Sequence, residues 1–232
     1  MYGNEEMMET LLLCRRQMMQ NLSFTLGLFA LPLIGLAAVF ALCNYHQIPL
    51  ETLTRDPSAV LEAPFYVGLV SHIGILLWCA AAAICLFGAV FLSTTGEKTF
   101  SVFLAASGLL TTILLLDDVF LFHEEIAYTY FYISQKKVYA GYALLGLLYL
   151  YRFRHTILKS DFLFLALAFF FFAASIGIDL LPETVIPHHF LFEDGFKLLG
   201  IVGWSAYLIR TSYQALLTAS TRVIKDDNAF SI

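Results

Sequence analysis

Residues 64–92 read PFYVGLVSHIGILLWCAAAAICLFGAVFL, a stretch with no Asp, Glu, Lys or Arg. A helix crosses the bilayer core with about 20 apolar residues, so this run predicts a membrane span. Barrel strands would instead alternate over about ten residues. Five further runs have the same character: roughly Leu22–Cys43, Phe100–Phe122, Phe131–Tyr151, Phe162–Leu181 and Phe190–Ile209. The predicted fold class is therefore all-α, a polytopic bundle of six transmembrane helices. Gln135, Lys136 and Lys137 sit in the outer part of the fourth run, and Glu193, Asp194 and Lys197 interrupt the start of the sixth.

Composition agrees. Of 232 residues, 59% are hydrophobic and 13% charged, and the mean hydropathy is +0.78. Soluble domains carry about 45–50% apolar and about 25% charged residues. Disorder is excluded by the low charge and 22 Phe. A net charge of −5 with no long basic cluster argues against nucleic acid as a partner. Membrane lipids are the expected surroundings.

Lys/Arg bias sets the expected orientation. With the N-terminus cytoplasmic, the inner side receives Arg15, Arg16, Lys98, Arg152, Arg154, Lys159, Arg210, Arg222 and Lys225. The outer side receives Arg55, Lys136, Lys137 and Lys197. Both termini are thus predicted inside. Residues 1–21 read as a cytoplasmic interfacial segment, because Met8, Leu11, Leu12, Arg15, Met18 and Met19 fit one helical stripe. Residues 22–212 form the membrane domain. Residues 213–232 read as a polar cytoplasmic tail, frayed from Thr218.

This orientation gathers the intramembrane acids and histidines on the outer side. The third run ends in Asp117-Asp118 and leads to His123-Glu124-Glu125. The fifth ends in Ser175-x-x-x-Asp179, followed by Glu183. The sixth enters from His188-His189 through Glu193, Asp194 and Lys197. His72 is expected about two turns, roughly 12 Å, below the outer end of the second run. Charges at membrane depth cost about 2.5–3.5 kcal/mol each at a helix centre, which argues for a shared polar cavity. Asp117 with Glu124, and Asp118 with Glu125, are seven apart and predicted to share faces. Glu193 and Lys197, four apart, predict an ion pair, and Ser175 and Asp179 can also share a face.

Carboxylates with imidazoles suit a divalent metal such as Zn, Fe, Mn or Mg. The candidate ligands are His72, His123, His188 and His189. Asp117, Asp118, Glu124 and Asp179 are the candidate catalytic carboxylates, with Asp118 or Glu124 as base. Glu193, Asp194, Lys197 and Ser175 would support them as ion pairs or outer-sphere groups. Plainer readings exist for each group: solvated loops, helix ends, or pairing of Asp117-Asp118 with Lys136 or Lys137. The tyrosines 128, 130, 132, 139 and 142 read as an outer interfacial belt, and Tyr149 with Tyr151 as an inner one. Gly195, Gly200 and Gly203 would permit close helix contact.

Ser71, His72, Asp117 or Asp118, and His188 with His189 resemble in part the serine, aspartate and three histidines of membrane hydrolases of the ceramidase and progestin-receptor type. Those proteins carry His-x-x-x-His within a helix and seven spans, so the resemblance implies only an analogy of chemistry. The favoured function is a metal-dependent membrane enzyme acting on a lipid or apolar substrate. The alternatives are a cation or proton channel or transporter using the same acidic vestibule, and a structural or assembly subunit of a homo-oligomer or larger membrane complex.

Overall fold

The computed structural model describes residues 7, 8, 12, 22–182 and 184–229, and the side chains of these except 23–25 and 223–229. Most of the expected N-terminal stripe, together with Glu183, lies outside the described residues. Among the described residues the protein is all-helical, without strands. Three helices are long and apolar enough to cross a membrane: Leu26–His46, Leu69–Thr94 and Lys98–Phe120.

The chain divides into two compact units, Met1–Val67 and Gly68–Ile232. The first holds α1 (Leu22–His46), α2 (Leu50–Thr54) and α3 (Pro57–Val60). Pro32 lies within α1, as membrane helices tolerate when the freed backbone group finds another partner. Asp56 caps α3 by accepting the Ser58 N–H at 2.8 Å, with Pro57 in the first helical position.

The second unit carries α4 (Leu69–Thr94), α5 (Lys98–Phe120), a π-helical turn (Phe122–Ile126), α6 (Ala127–Phe131), α7 (Gln135–Ile157), α8 (Leu163–Asp179) and α9 (His189–Ala229). All six apolar runs are thus helical, with shifted boundaries. The helix of residues 64–92 starts late, because Gly68 takes a left-handed φ of 70°. His72 therefore sits in the first turn of α4 rather than two turns down. The Phe100–Phe122 run breaks at Leu121, with φ 52°. Tyr132, with φ 56°, ends α6, and the chain reverses into α7. The sixth run does not stop near Ile209. The backbone stays helical to Ala229, so the expected frayed tail is helical through the last described residue.

α4 packs along α5 and α9, and α8 packs along α9. Small residues make the approach possible. A Cβ on Gly200 would lie 2.5 Å from the Phe172 ring, and one on Gly203 would lie 3.1 Å from the Phe164 carbonyl. Gly195 has nothing within 4 Å of that position, so only two of the three expected glycines serve contact. The core gathers Trp78, Cys85, Leu92, Phe103, Leu104, Tyr149, Phe153, Ile201, Trp204, Tyr207 and Leu208. Tyr149 is buried, its phenol 2.8 Å from Ser107 Oγ, which corrects its placement in an interfacial belt; Tyr151 is exposed.

The two ends of this bundle differ. At one end Arg210 pairs with Asp161 and Arg222 with Glu97. The Arg210 guanidinium holds the Asp161 carboxyl below its ordinary range. The C-terminus of α5, the N-terminus of α7, the C-terminus of α8 and the N-terminus of α9 meet at the other.

Candidate functional site

That second end surrounds a cavity of about 290 Å³. Its mouth is polar, lined by Asp117, Asp118, His123, Glu124, Tyr139, Tyr142, Ser175, Glu193 and Lys197. Its floor is apolar and aromatic: Trp78, Leu110, Leu114, Phe169, Phe172 and Trp204. Trp78 stacks on Phe172 with centroids 5.8 Å apart, and Phe169 meets Trp204 edge-on at 5.9 Å.

Asp117 organises the mouth. The break at Leu121 folds the π-helical turn back over the end of α5. Asp117 Oδ2 then lies 2.6 Å from His123 Nδ1, while Oδ1 accepts the His123 backbone N–H at 3.0 Å. The Tyr142 hydroxyl donates to the same Oδ1 at 2.7 Å. His123 Nε2 stands 3.3 Å from Glu124 Oε1. Burial works to lower the His123 pKa, but hydrogen bonds and charge from Asp117 and Glu124 outweigh it and raise it from 6.5 to about 9. The hydrogen bond from His123 holds Glu124 below its ordinary range against the effect of burial, and the charge of Lys197 adds to this. At neutral pH the imidazole is thus a cation fixed between two carboxylates, a proton donor rather than a free base.

Lys197 pairs with Asp118 Oδ1 at 2.5 Å. This replaces the Glu193–Lys197 pair expected from spacing; Glu193 faces His189 Nε2 at 3.5 Å instead. Asp118 is 5% exposed, and its Oδ2 has no hydrogen-bond partner among the described residues. His189 Nδ1 is buried and likewise unpartnered. Asp118 and Lys197 also border a second cavity of about 20 Å³ with Ser71, Gly74 and Asp194.

Seven of the predicted residues therefore line one cavity: Asp117, Asp118, His123, Glu124, Ser175, Glu193 and Lys197. Asp179 stands behind the wall, accepting from Tyr139 at 2.8 Å and Gln135 at 2.9 Å. His189 is buried beside Glu193 without lining the cavity. His72 and His188 are exposed and stand apart from it. Glu125 does not line the cavity, so only the Asp117–Glu124 pair of the two seven-residue pairs reaches the mouth. Among the described residues no group of three or more His, Cys, Asp or Glu is arranged to hold a metal ion. The cations facing these carboxylates are the chain's own, Lys197 and His123.

Sequence reasoning missed Tyr139 and Tyr142, which point into the site rather than forming a belt. It also missed the two tryptophans of the floor. Trp78 and Trp204 are the only Trp in the chain, and both line this cavity.

The family described as Domain of unknown function (DUF8692) matches residues 25–211, and the chain belongs to it. No curated protein and no solved structure matches.

Proposed function

We propose that this member of the DUF8692 family is a multi-pass membrane enzyme that acts on a lipid or other amphiphile. Six spans with both termini cytoplasmic put the cavity in the outer half of the bilayer. The Lys/Arg bias supports the orientation, and a helix over each of the six apolar runs supports the number of spans. The observation that carries the reading is the cavity itself, with a polar mouth and an aromatic floor in one enclosure. Such a shape takes a molecule with one polar and one apolar end.

In this reading His123 donates a proton to the substrate's polar group, and the Glu124 or Asp118 carboxylate accepts one. Asp117 and Tyr142 hold the imidazole in place. The metal-dependent form adds a divalent Zn, Fe, Mn or Mg ion at the carboxylates. Elemental analysis decides that form: a stoichiometric metal lost in His123→Ala supports it, and active, metal-free protein ends it.

Cation or proton transport would use the same acids. It needs a polar path beneath the cavity. There the Trp204 N–H donates to Thr111 Oγ1 at 3.0 Å, and an indole can donate but not accept. Thr111 donates to the Ser107 carbonyl, and Ser107 joins Tyr149. These groups satisfy one another, which favours a closed floor. A purely structural subunit gives no reason for an acid-lined cavity.

The test is turnover. Purified protein in liposomes is incubated with a total lipid extract, and substrates and products are followed by mass spectrometry. A lipid consumed by the wild type and spared by His123→Gln and Glu124→Gln supports the reading. A complete absence of conversion, with the protein folded and the cavity occupied, overturns the enzymatic part.

A further inference from the structure

Four carboxylates border the cavity mouth, Asp117, Asp118, Glu124 and Glu193, against two cations, His123 and Lys197. Asp117 and Glu124 share His123, Asp118 is matched by Lys197 through one oxygen only, and Glu193 faces the His189 ring, which does not line the cavity. The border is left with an excess of negative charge. The Asp118 carboxylate is almost fully buried, yet its Oδ2 has no partner. An unpaired carboxylate oxygen out of water is costly. The adjoining cavity of about 20 Å³ adds Asp194 beside Asp118, with room for about one water-sized group. The remaining wall is apolar and includes Trp78, Phe169, Phe172 and Trp204, and aromatic faces attract cations as well as alkyl chains.

We propose that the cavity selects a cationic amphiphile. Its protonated amine would lie among Asp118, Glu124 and Glu193, and its alkyl chain against Trp78 and Trp204. A positively charged head balances the border, Asp118 included. An anionic head would meet the same carboxylates unfavourably, and a neutral head would leave the charge unbalanced. This inference rests on the amphiphile reading above and goes beyond it by naming the head.

Because both tryptophans line the cavity, intrinsic fluorescence reports its occupancy directly. The full-length protein in phosphatidylcholine nanodiscs is titrated with dodecylamine, dodecanol and dodecyl phosphate, which share one chain length. The amine is expected to bind roughly tenfold or more tighter than the alcohol, the worth of one charge-assisted hydrogen bond. The phosphate is expected to bind weakest. In Asp118→Asn, and separately in Glu193→Gln, the preference for amine over alcohol should shrink while alcohol binding persists. Persistent alcohol binding shows that the variant still folds around the cavity. Equal binding of amine and alcohol, or tightest binding of the phosphate, overturns the cationic head and leaves the amphiphile reading standing. No response to any of the three overturns both.

Discussion

Asp117 grips His123 twice, through the imidazole Nδ1 at 2.6 Å and the backbone N–H at 3.0 Å. One carboxylate thus fixes both the ring and the turn that carries it. Asp117→Asn keeps the volume but removes the charge from a buried pair. Breaking such a pair costs about 3–5 kcal/mol. Thermal unfolding in detergent should shift down by a matching amount, and hydrogen exchange should rise first in residues 121–127. An unchanged melting curve would mean that the pair does not hold the turn.

The same pair makes stability depend on pH. The folded pKa of His123, about 9, lies above its ordinary 6.5. A cation raised in this way contributes stability that is fully present below pH 6.5 and is lost as pH rises through about 9. The contribution is on the order of 3 kcal/mol. Glu124, held below 4.5, contributes above that value and is lost on acidification. The wild type should therefore lose melting temperature between neutral pH and about pH 9. His123→Gln should flatten that alkaline slope, and an equal slope in both proteins would contradict the assignment.

Two glycines of α9 provide a matched comparison. A methyl group on Gly200 would press on Phe172, which stacks on Trp78 in the cavity floor. Gly200→Ala should destabilise by about 1–3 kcal/mol through overpacking and alter tryptophan emission. Gly195→Ala meets open space and should be neutral or gain about 0.5–1 kcal/mol from helix propensity. Equal behaviour of the two variants in thermal unfolding and fluorescence would contradict the packing described.

Orientation can be checked by labelling. With native cysteines replaced, Tyr130→Cys should react with an impermeant maleimide on intact cells. Lys159→Cys should react only after permeabilisation. The reverse pattern would invert the topology and put the cavity on the cytoplasmic side.

The legible and illegible parts of the sequence separate on physical grounds. Each of the six apolar runs falls on a helix, because hydropathy marks such runs, although among the described residues three of these helices are long and apolar enough to cross a membrane. Their ends were less legible: Gly68 and Leu121 adopt left-handed φ values inside apolar stretches, where hydropathy does not change. The late start of α4 leaves His72 in its first turn and outside the cavity. Asp117, Asp118, His123, Glu124, Ser175, Glu193 and Lys197 were legible, because polar and charged side chains at helix ends stand out against an apolar background. Tyr139 and Tyr142 were not, since a tyrosine at the interface and one turned inward look alike in sequence. The choice of Asp118 over Glu193 as the partner of Lys197 required the packing of α5 against α9, which spacing along one helix does not contain.

The cavity between the acid mouth and the two tryptophans is proposed to hold an amphiphile. Native mass spectrometry tests it most directly, on protein extracted gently from its membrane, with Ala143→Trp as a variant that fills the cavity. The wild type should carry a bound amphiphile of defined mass, absent or much reduced on Ala143→Trp at unchanged melting temperature. A wild type that carries no amphiphile, or the same complement on both proteins, would contradict it.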